Sequence, residues 1–300
     1  MNNTGTLFQA ILLGLALGVG GCGKKQDAAK TVQVKGSDTM VNIAQAWAEA
    51  YNGLKPDIAI VVSGGGSGTG IAAIINNTTD IANASRELKA EEKADAKKNT
   101  GKDVVEHIVA YDALAVYVHA DNPIAKITKE QLACVYGEGG TCDKWSDVGI
   151  EVPGCSGQEI VRVSRQSNSG TYAFFREWTV GEKKDFKLGS RDMQGSKDVV
   201  DLVEQTPCAI GYSGLGYKTE KVKAACVASN ETDACVEPTI EGAVSGKYPL
   251  SRALYMVTLG EPAGEIKAYL DWVRSDAGQV LVEKAGYAPI PKEKRVAAAK

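Results

Sequence analysis

Short apolar runs alternate along the chain with longer patterns of helical period. Val32-Gln33-Val34, Ile58-Ala59-Ile60-Val61-Val62 and Ile160-Val161-Arg162-Val163 are short and rich in β-branched residues, which predicts strands. After the first run, Met40, Ile43, Ala44, Trp47, Ala50 and Tyr51 recur at helical spacing, so that helix buries one face. Ile71-Ala72-Ala73-Ile74-Ile75 and Tyr172-Ala173-Phe174-Phe175-Arg176-Glu177-Trp178 predict helices after the second and third. Further strands are expected at residues 108–111, 114–118, 209–213 and 253–258. Further helices are expected at 128–135, with Thr128 as its cap, and at 196–204, 266–273 and 278–284. Residues 87–102 are dense in Lys, Glu, Asp and Ala and predict a solvated helix and loop. Residues 137–157, rich in Gly and bearing Cys, predict loop. Asp121-Asn122-Pro123 stops an apolar run and marks an expected crossing between lobes. Strands alternating with helices argue for α/β lobes with mainly parallel sheets.

The turns between these strands and helices carry the candidate chemistry. They read Gly36-Ser37-Asp38-Thr39-Met40, Ser63-Gly64-Gly65-Gly66-Ser67-Gly68-Thr69-Gly70 and Arg165-Gln166-Ser167-Asn168-Ser169-Gly170-Thr171. Each places hydroxyls and Gly at the start of a helix. Unpaired N–H groups and the positive end of the dipole suit a small anion there. Gly170 lets backbone approach a ligand closely, Ser169 and Thr171 donate hydrogen bonds, and Arg165 offers a fork to two oxygens of an oxyanion. If the three turns converge, they surround one anion; the alternative is three separate structural caps.

Length and charge bound this reading. A chain of 300 residues, 44% apolar and 24% charged, suits a globular protein of two lobes. A net charge of −3 argues against nucleic acid as a partner and against long-range steering of anions, so an anion site must be local. Residues 7–19 form an apolar run too short to span a membrane, and Val19-Gly20-Gly21-Cys22 resembles a bacterial lipobox. Residues 1–21 then form a lipoprotein signal peptide, although they hold no Lys or Arg. Cys22 becomes the lipidated N-terminus, and 22–30 form a polar tether. Gly at position 23, rather than Asp, resembles lipoproteins sorted to the outer membrane.

Six further cysteines in an exported chain read as disulfides. Close spacing favours Cys134–Cys142 and Cys226–Cys235, which leaves Cys155–Cys208. A metal site is the weaker alternative, because there is no Cys-x-x-Cys and His107 and His119 lie apart from the cysteines. No metal and no cofactor is expected. Gly65-Gly66-Ser67-Gly68 lacks the final Gly of a nucleophile elbow, since position 69 is Thr. No P-loop is present. Binding is therefore favoured over catalysis.

With these motifs in hand, the chain resembles the phosphate-binding proteins of bacterial phosphate ABC transporters, the PstS family, from about residue 31 to about 290. The three turns carry the resemblance, with Asp80-Ile81-Ala82-Asn83-Ala84-Ser85-Arg86, Ile210-Gly211-Tyr212-Ser213-Gly214-Leu215-Gly216-Tyr217 and Tyr248-Pro249-Leu250-Ser251-Arg252-Ala253-Leu254-Tyr255. Residues 127–132 and 145–149 also match. The resemblance implies a type II two-lobed periplasmic-binding-protein fold that closes on its ligand by a hinge. Lobe 1 would comprise 31–118 and 250–300, and lobe 2 residues 119–249. The implied phosphate contacts are Ser37, Asp38, Thr39, Ser67, Arg165, Ser169, Gly170 and Thr171. Arg86 stands where some members have an Asp that accepts the proton of phosphate. Asp38, the only acid within the three turns, is then expected to be that acceptor, with Arg86 and Arg165 balancing charge. The implied role is a periplasmic, lipid-anchored receptor that binds inorganic phosphate and delivers it to an inner-membrane permease. Other expectations held open are a receptor for sulfate or molybdate, an exported phosphatase using a cleft Ser, and a surface scaffold.

Overall fold

The computed structural model describes residues 30–297. The signal segment, Cys22 and all of the tether except Lys30 lie outside the described residues. Lys30 already belongs to the first strand. In chain order the elements are β1 (Lys30–Gly36), α1 (Val41–Leu54), β2 (Ile58–Ser63), α2 (Ser67–Ile75), β3 (Ile81–Ala84), α3 (Ala90–Thr100), β4 (Val104–His119), β5 (Lys126–Thr128), α4 (Lys129–Tyr136), β6 (Val161–Arg165), α5 (Gly170–Val180), β7 (Arg191–Met193), α6 (Ser196–Glu204), β8 (Ala209–Gly214), β9 (Val222–Ala228), α7 (Ile240–Ser245), β10 (Ser251–Leu259), α8 (Gly264–Val273) and α9 (Asp276–Lys284). Short 3-10 turns precede α1, at Asp38–Met40, and follow β8.

The periodic helices form where the pattern places them. On α1, Ile43, Ala44, Trp47, Ala48 and Tyr51 are buried, and Trp47 Nε1 donates to the Gly278 carbonyl at 2.8 Å. Thr128 caps α4 by accepting from the Gln131 amide at 3.2 Å, and Gln131 Oε1 in turn accepts from the Thr128 amide at 2.9 Å.

Strands run in the order β2-β1-β3-β10-β4-β8-β6-β7, with β9 pairing β4 and β5 pairing β9. The expected mainly parallel sheet is instead mixed. β1 is parallel to β2 and β3, and β6 is parallel to β7 and β8. β10 is antiparallel to β3 and β4, and β4 is antiparallel to β8 and β9. The antiparallel pairs arise because the chain crosses between lobes along β4 and returns along β10.

The first crossing also differs from the expected one. Val104 to Ala113 of β4 pair with β10, and Leu114 to His119 pair with β8 and β9. The change of lobe therefore falls between Ala113 and Leu114, inside one strand, and not at Asp121-Asn122-Pro123. Asp112 interrupts the apolar run, which makes the sequence read as two strands. It is only 1% exposed and is held inside the continuous strand by Arg252.

Each lobe has its own apolar core. Val34, Trp47, Ile81, Met256 and Leu270 centre the first; Leu132, Trp145, Phe175, Ile210 and Tyr212 centre the second. The six cysteines form Cys134–Cys142 and Cys226–Cys235, the two pairs that spacing favours, and Cys155–Cys208, the pair these leave, all in the second lobe. None of the helices among the described residues is long and apolar enough to cross a membrane.

Candidate functional site

The three turns meet where the lobes touch. The 3-10 turn before α1 and the start of α2 come from the first lobe, and the start of α5 comes from the second. Thr39 Oγ1 lies 2.8 Å from Thr171 Oγ1. The Gly68 amide donates to the Asn168 carbonyl at 2.9 Å, and Asn168 Nδ2 donates to the Gly65 carbonyl at 3.0 Å. Gly170 sits so close to the first lobe that a Cβ there would lie 2.3 Å from Ser67 Oγ and 2.8 Å from Ser85 Oγ. Gly66, at φ +91°, turns the chain into α2 in a conformation that disfavours side chains.

The site is buried and rich in hydroxyls. Ser37, Thr39, Ser67, Ser85, Ser169 and Thr171 are all buried. Ser169 caps α5 by accepting from the Thr171 and Tyr172 amides, which leaves its proton free to be donated outward. Ser67 accepts from the Ser85 amide and lies 3.2 Å from Ser85 Oγ. Ser37 Oγ is buried with no hydrogen-bond partner. A buried unpaired hydroxyl costs free energy unless something else satisfies it.

Arg165 is 1% exposed and spans the lobes. Its Nε donates to the Met193 and Gln194 carbonyls, Nη1 to Ser196 Oγ at 2.9 Å, and Nη2 to the Gln194 carbonyl and to Asp38 Oδ2 at 2.9 Å. Of the five guanidinium N–H groups, these bonds leave one on Nη1 uncommitted. Burial lowers the Arg165 pKa, and the Asp38 carboxylate opposes that shift. Asp38 is no helix cap, because its other oxygen accepts from the Gly65 amide at 2.8 Å. It ties the second turn and Arg165 to the first turn. Tyr217 of the second lobe donates to the Asp38 carbonyl at 2.7 Å. Burial pushes the Tyr217 hydroxyl up to about 12, so it remains a neutral donor at pH 7.

Of the expected residues, Ser37, Asp38, Thr39, Ser67, Arg165, Ser169, Gly170 and Thr171 come together. Arg86 does not join them. Both terminal nitrogens of its guanidinium bind Glu92, at 2.6 and 2.8 Å, and Nη1 also donates to the Glu87 carbonyl. Glu92 lies six residues downstream on α3, so this fork is filled locally. Arg86 instead lines a groove of about 900 Å³ that opens between the lobes beside the site, together with Phe174, Arg176, Arg252 and Tyr255.

Sequence reasoning missed Ser85, Asp112, Ser196 and Arg252 as members of the cluster. Arg252 is 6% exposed; its Nε and Nη2 bind Asp112, Nη1 donates to the Ser85 carbonyl and Nη2 to Thr39 Oγ1. An Asp inside an apolar run was the available signal, since a buried carboxylate calls for a cation.

Ser67 has Ser85 as its side-chain partner, while His107 bonds Thr258 and His119 lies beside Asp121. No base reaches a cleft hydroxyl among these contacts. Among the described residues no cluster of His, Cys, Asp and Glu could hold a metal ion.

Comparison with known proteins agrees with the fold. A family model described as a PBP superfamily domain matches residues 24–277. The phosphate-binding protein PstS of Pseudomonas aeruginosa is 36% identical over 266 residues, covering 85% of this chain and 82% of its own length. A Clostridium perfringens protein, assigned as a phosphate ABC transporter substrate-binding protein and solved with bound phosphate, superposes with a TM-score of 0.77. It is 30% identical, over 87% of this chain and 100% of that one. An ABC-type phosphate transport receptor from Vibrio cholerae gives a TM-score of 0.68 at 26% identity, over 87% of this chain and 100% of that one. On these matches the chain belongs to the PstS family of the PBP superfamily.

Proposed function

We propose that this chain is an extracytoplasmic substrate-binding protein that holds one inorganic phosphate between its lobes and passes it to an inner-membrane ABC permease. One observation carries the reading. Buried hydroxyls at three helix starts meet a buried Arg165 that keeps one N–H uncommitted, and among them Ser37 Oγ has no partner. This is a set of buried donors at one place, which is what a tetrahedral oxyanion needs. The relatives named for phosphate binding support the choice of anion.

Within this reading Ser37, Thr39, Ser67, Ser169 and Thr171 donate hydroxyl protons, and the Gly170 backbone allows close approach. Arg165 supplies charge, and Asp38 accepts the proton that phosphate still carries at neutral pH. Each Asp38 oxygen already accepts one bond and keeps a second lone pair for that purpose. Calorimetry with phosphate, sulfate and molybdate tests the assignment. Phosphate should bind and the other two should be much weaker. Sulfate or molybdate binding without phosphate binding would replace it with another oxyanion receptor.

The anchor belongs to the same proposal. Cys22 carries the lipid and holds the protein at the periplasmic face of a membrane, the outer one by the residue that follows Cys22. Mass spectrometry of the mature N-terminus decides this: a lipidated Cys22 is expected, and an unmodified N-terminus elsewhere would refute the anchor.

A further inference from the structure

We propose that Arg252 is the second guanidinium of the anion site, and that it acts by fixing the Thr39 hydroxyl as a donor. The proposal rests on the phosphate-receptor reading above and adds to it a positioning residue.

Arg252 lies at the start of β10 and Asp112 near the middle of β4, the two strands by which the chain passes between lobes. Their side chains are 3% and 0% exposed and meet at 2.8 Å. Asp112 Oδ2 accepts from both Nε, at 3.1 Å, and Nη2, at 2.8 Å, which sets the direction of the guanidinium. Asp112 also accepts from the Leu215 amide, which follows β8 in the second lobe. The guanidinium lies over the Phe174 ring at 5.5 Å, one turn into α5. Asp112 and Phe174 thus hold Arg252 in one orientation, and Phe174 belongs to the second lobe.

That orientation aims Nη2 at Thr39 Oγ1, 3.2 Å away. A guanidinium only donates, so Thr39 Oγ1 must accept. Its single proton is then free to point elsewhere, and Thr171 Oγ1 lies 2.8 Å off on the facing lobe. Thr39 therefore donates across the cleft, toward Thr171 or toward an oxyanion oxygen that takes the place of that contact. A Thr hydroxyl left to itself rotates and can present a lone pair, which an anion would repel. Arg252 removes that option. Nη1 donates to the Ser85 carbonyl, which anchors the residue whose hydroxyl faces Ser67, and its other N–H is uncommitted. Arg86, whose fork is filled by Glu92, is not available for this task.

A double-mutant cycle on phosphate binding separates this role from general support of the hinge. Arg252→Lys keeps the charge beside Asp112 but loses the fork. It should weaken phosphate binding at least tenfold when residue 39 is Thr. In the Thr39→Val background, which has no hydroxyl to orient, the same change should weaken binding less than twofold further. An equal loss in both backgrounds would overturn the proposal and leave Arg252 a structural residue. If Arg252→Lys fails to fold by circular dichroism, Arg252→Gln with Asp112→Asn removes the ion pair as a unit, and the same cycle is read from that variant. A wild-type chain that binds no phosphate overturns the receptor reading and this inference together. A wild-type chain that binds, with additive losses, overturns only the role of Arg252.

Discussion

Two ion pairs, one buried and one partly buried, give the site its character at the scale of single residues. Arg165 with Asp38 and Arg252 with Asp112 are close to neutral as pairs, so an incoming anion meets donors rather than a surplus of bare positive charge. Selectivity can then depend on hydrogen-bond pattern. Arg165→Ala leaves the Asp38 carboxylate, the Gln194 carbonyl and Ser196 Oγ without their donor. Hydrogen bonds to a charged group contribute about 1.5–3 kcal/mol, so phosphate affinity should fall at least about tenfold. A titration with unchanged affinity would remove Arg165 from the site. Asp38→Asn is the sharper test. The carboxylate accepts from Gly65 on one oxygen and Arg165 on the other, and an amide can keep only one of these. Its NH2 must face a donor, so every anion should bind more weakly. Phosphate should lose more than sulfate, because only phosphate brings a proton that needs an acceptor. Competition between the two anions measures the ratio. An equal loss for both would mean that Asp38 only holds Arg165 and the second turn in place.

At the scale of elements, the decisive contact is between helix starts. The first residue of α5, Gly170, faces Ser67 at the first position of α2. Gly170→Ala is compatible with helix geometry within the second lobe, and Ala is the better helix former. Its Cβ, however, would lie 2.3 Å from Ser67 Oγ when the lobes meet. The variant should keep the folded second lobe, by circular dichroism, and lose most of its phosphate affinity. Retained affinity would show that the lobes need not meet at this point. This element level was also the most legible in the sequence. The three strand–turn–helix units stood out because Gly and hydroxyls separate a period of two from a period of 3.6. Strand β7, three residues long, carries too little pattern to be read, and β9 was missed as well. The continuity of β4 was hidden by Asp112, whose partner lies 140 residues away. The choice of second cation failed for a different reason. Arg86 and Arg252 both follow apolar stretches, and sequence does not reveal that Glu92 takes one of them while Thr39 receives the other.

At the scale of the molecule, the lobes have separate apolar cores and meet at the site through polar groups. Thr39 with Thr171, Asp38 with Arg165, Gly65 and Gly68 with Asn168, and Tyr217 with the Asp38 carbonyl all cross the cleft. Polar interfaces of this kind favour motion between domains, and β4 and β10 are the two strands about which it would occur. Donors to the proposed anion come from both lobes, from Ser37, Thr39 and Ser67 on one side and Arg165, Ser169 and Thr171 on the other. An anion bound this way favours the closed arrangement by its differential affinity for it. Two measurements follow from one cause. At a concentration about 100 times Kd, phosphate should stabilise the folded chain by about 2.7 kcal/mol. At roughly 2–4 °C per kcal/mol for a chain near this size, the melting temperature should rise by about 5–11 °C. The radius of gyration from small-angle scattering should fall over the same concentration range, because closure is the step that brings the second set of donors to the ligand. In Gly170→Ala both responses should shrink together. A melting shift of full size with no change in radius of gyration would mean that the ligand binds to lobes already closed, and the hinge reading would have to be given up.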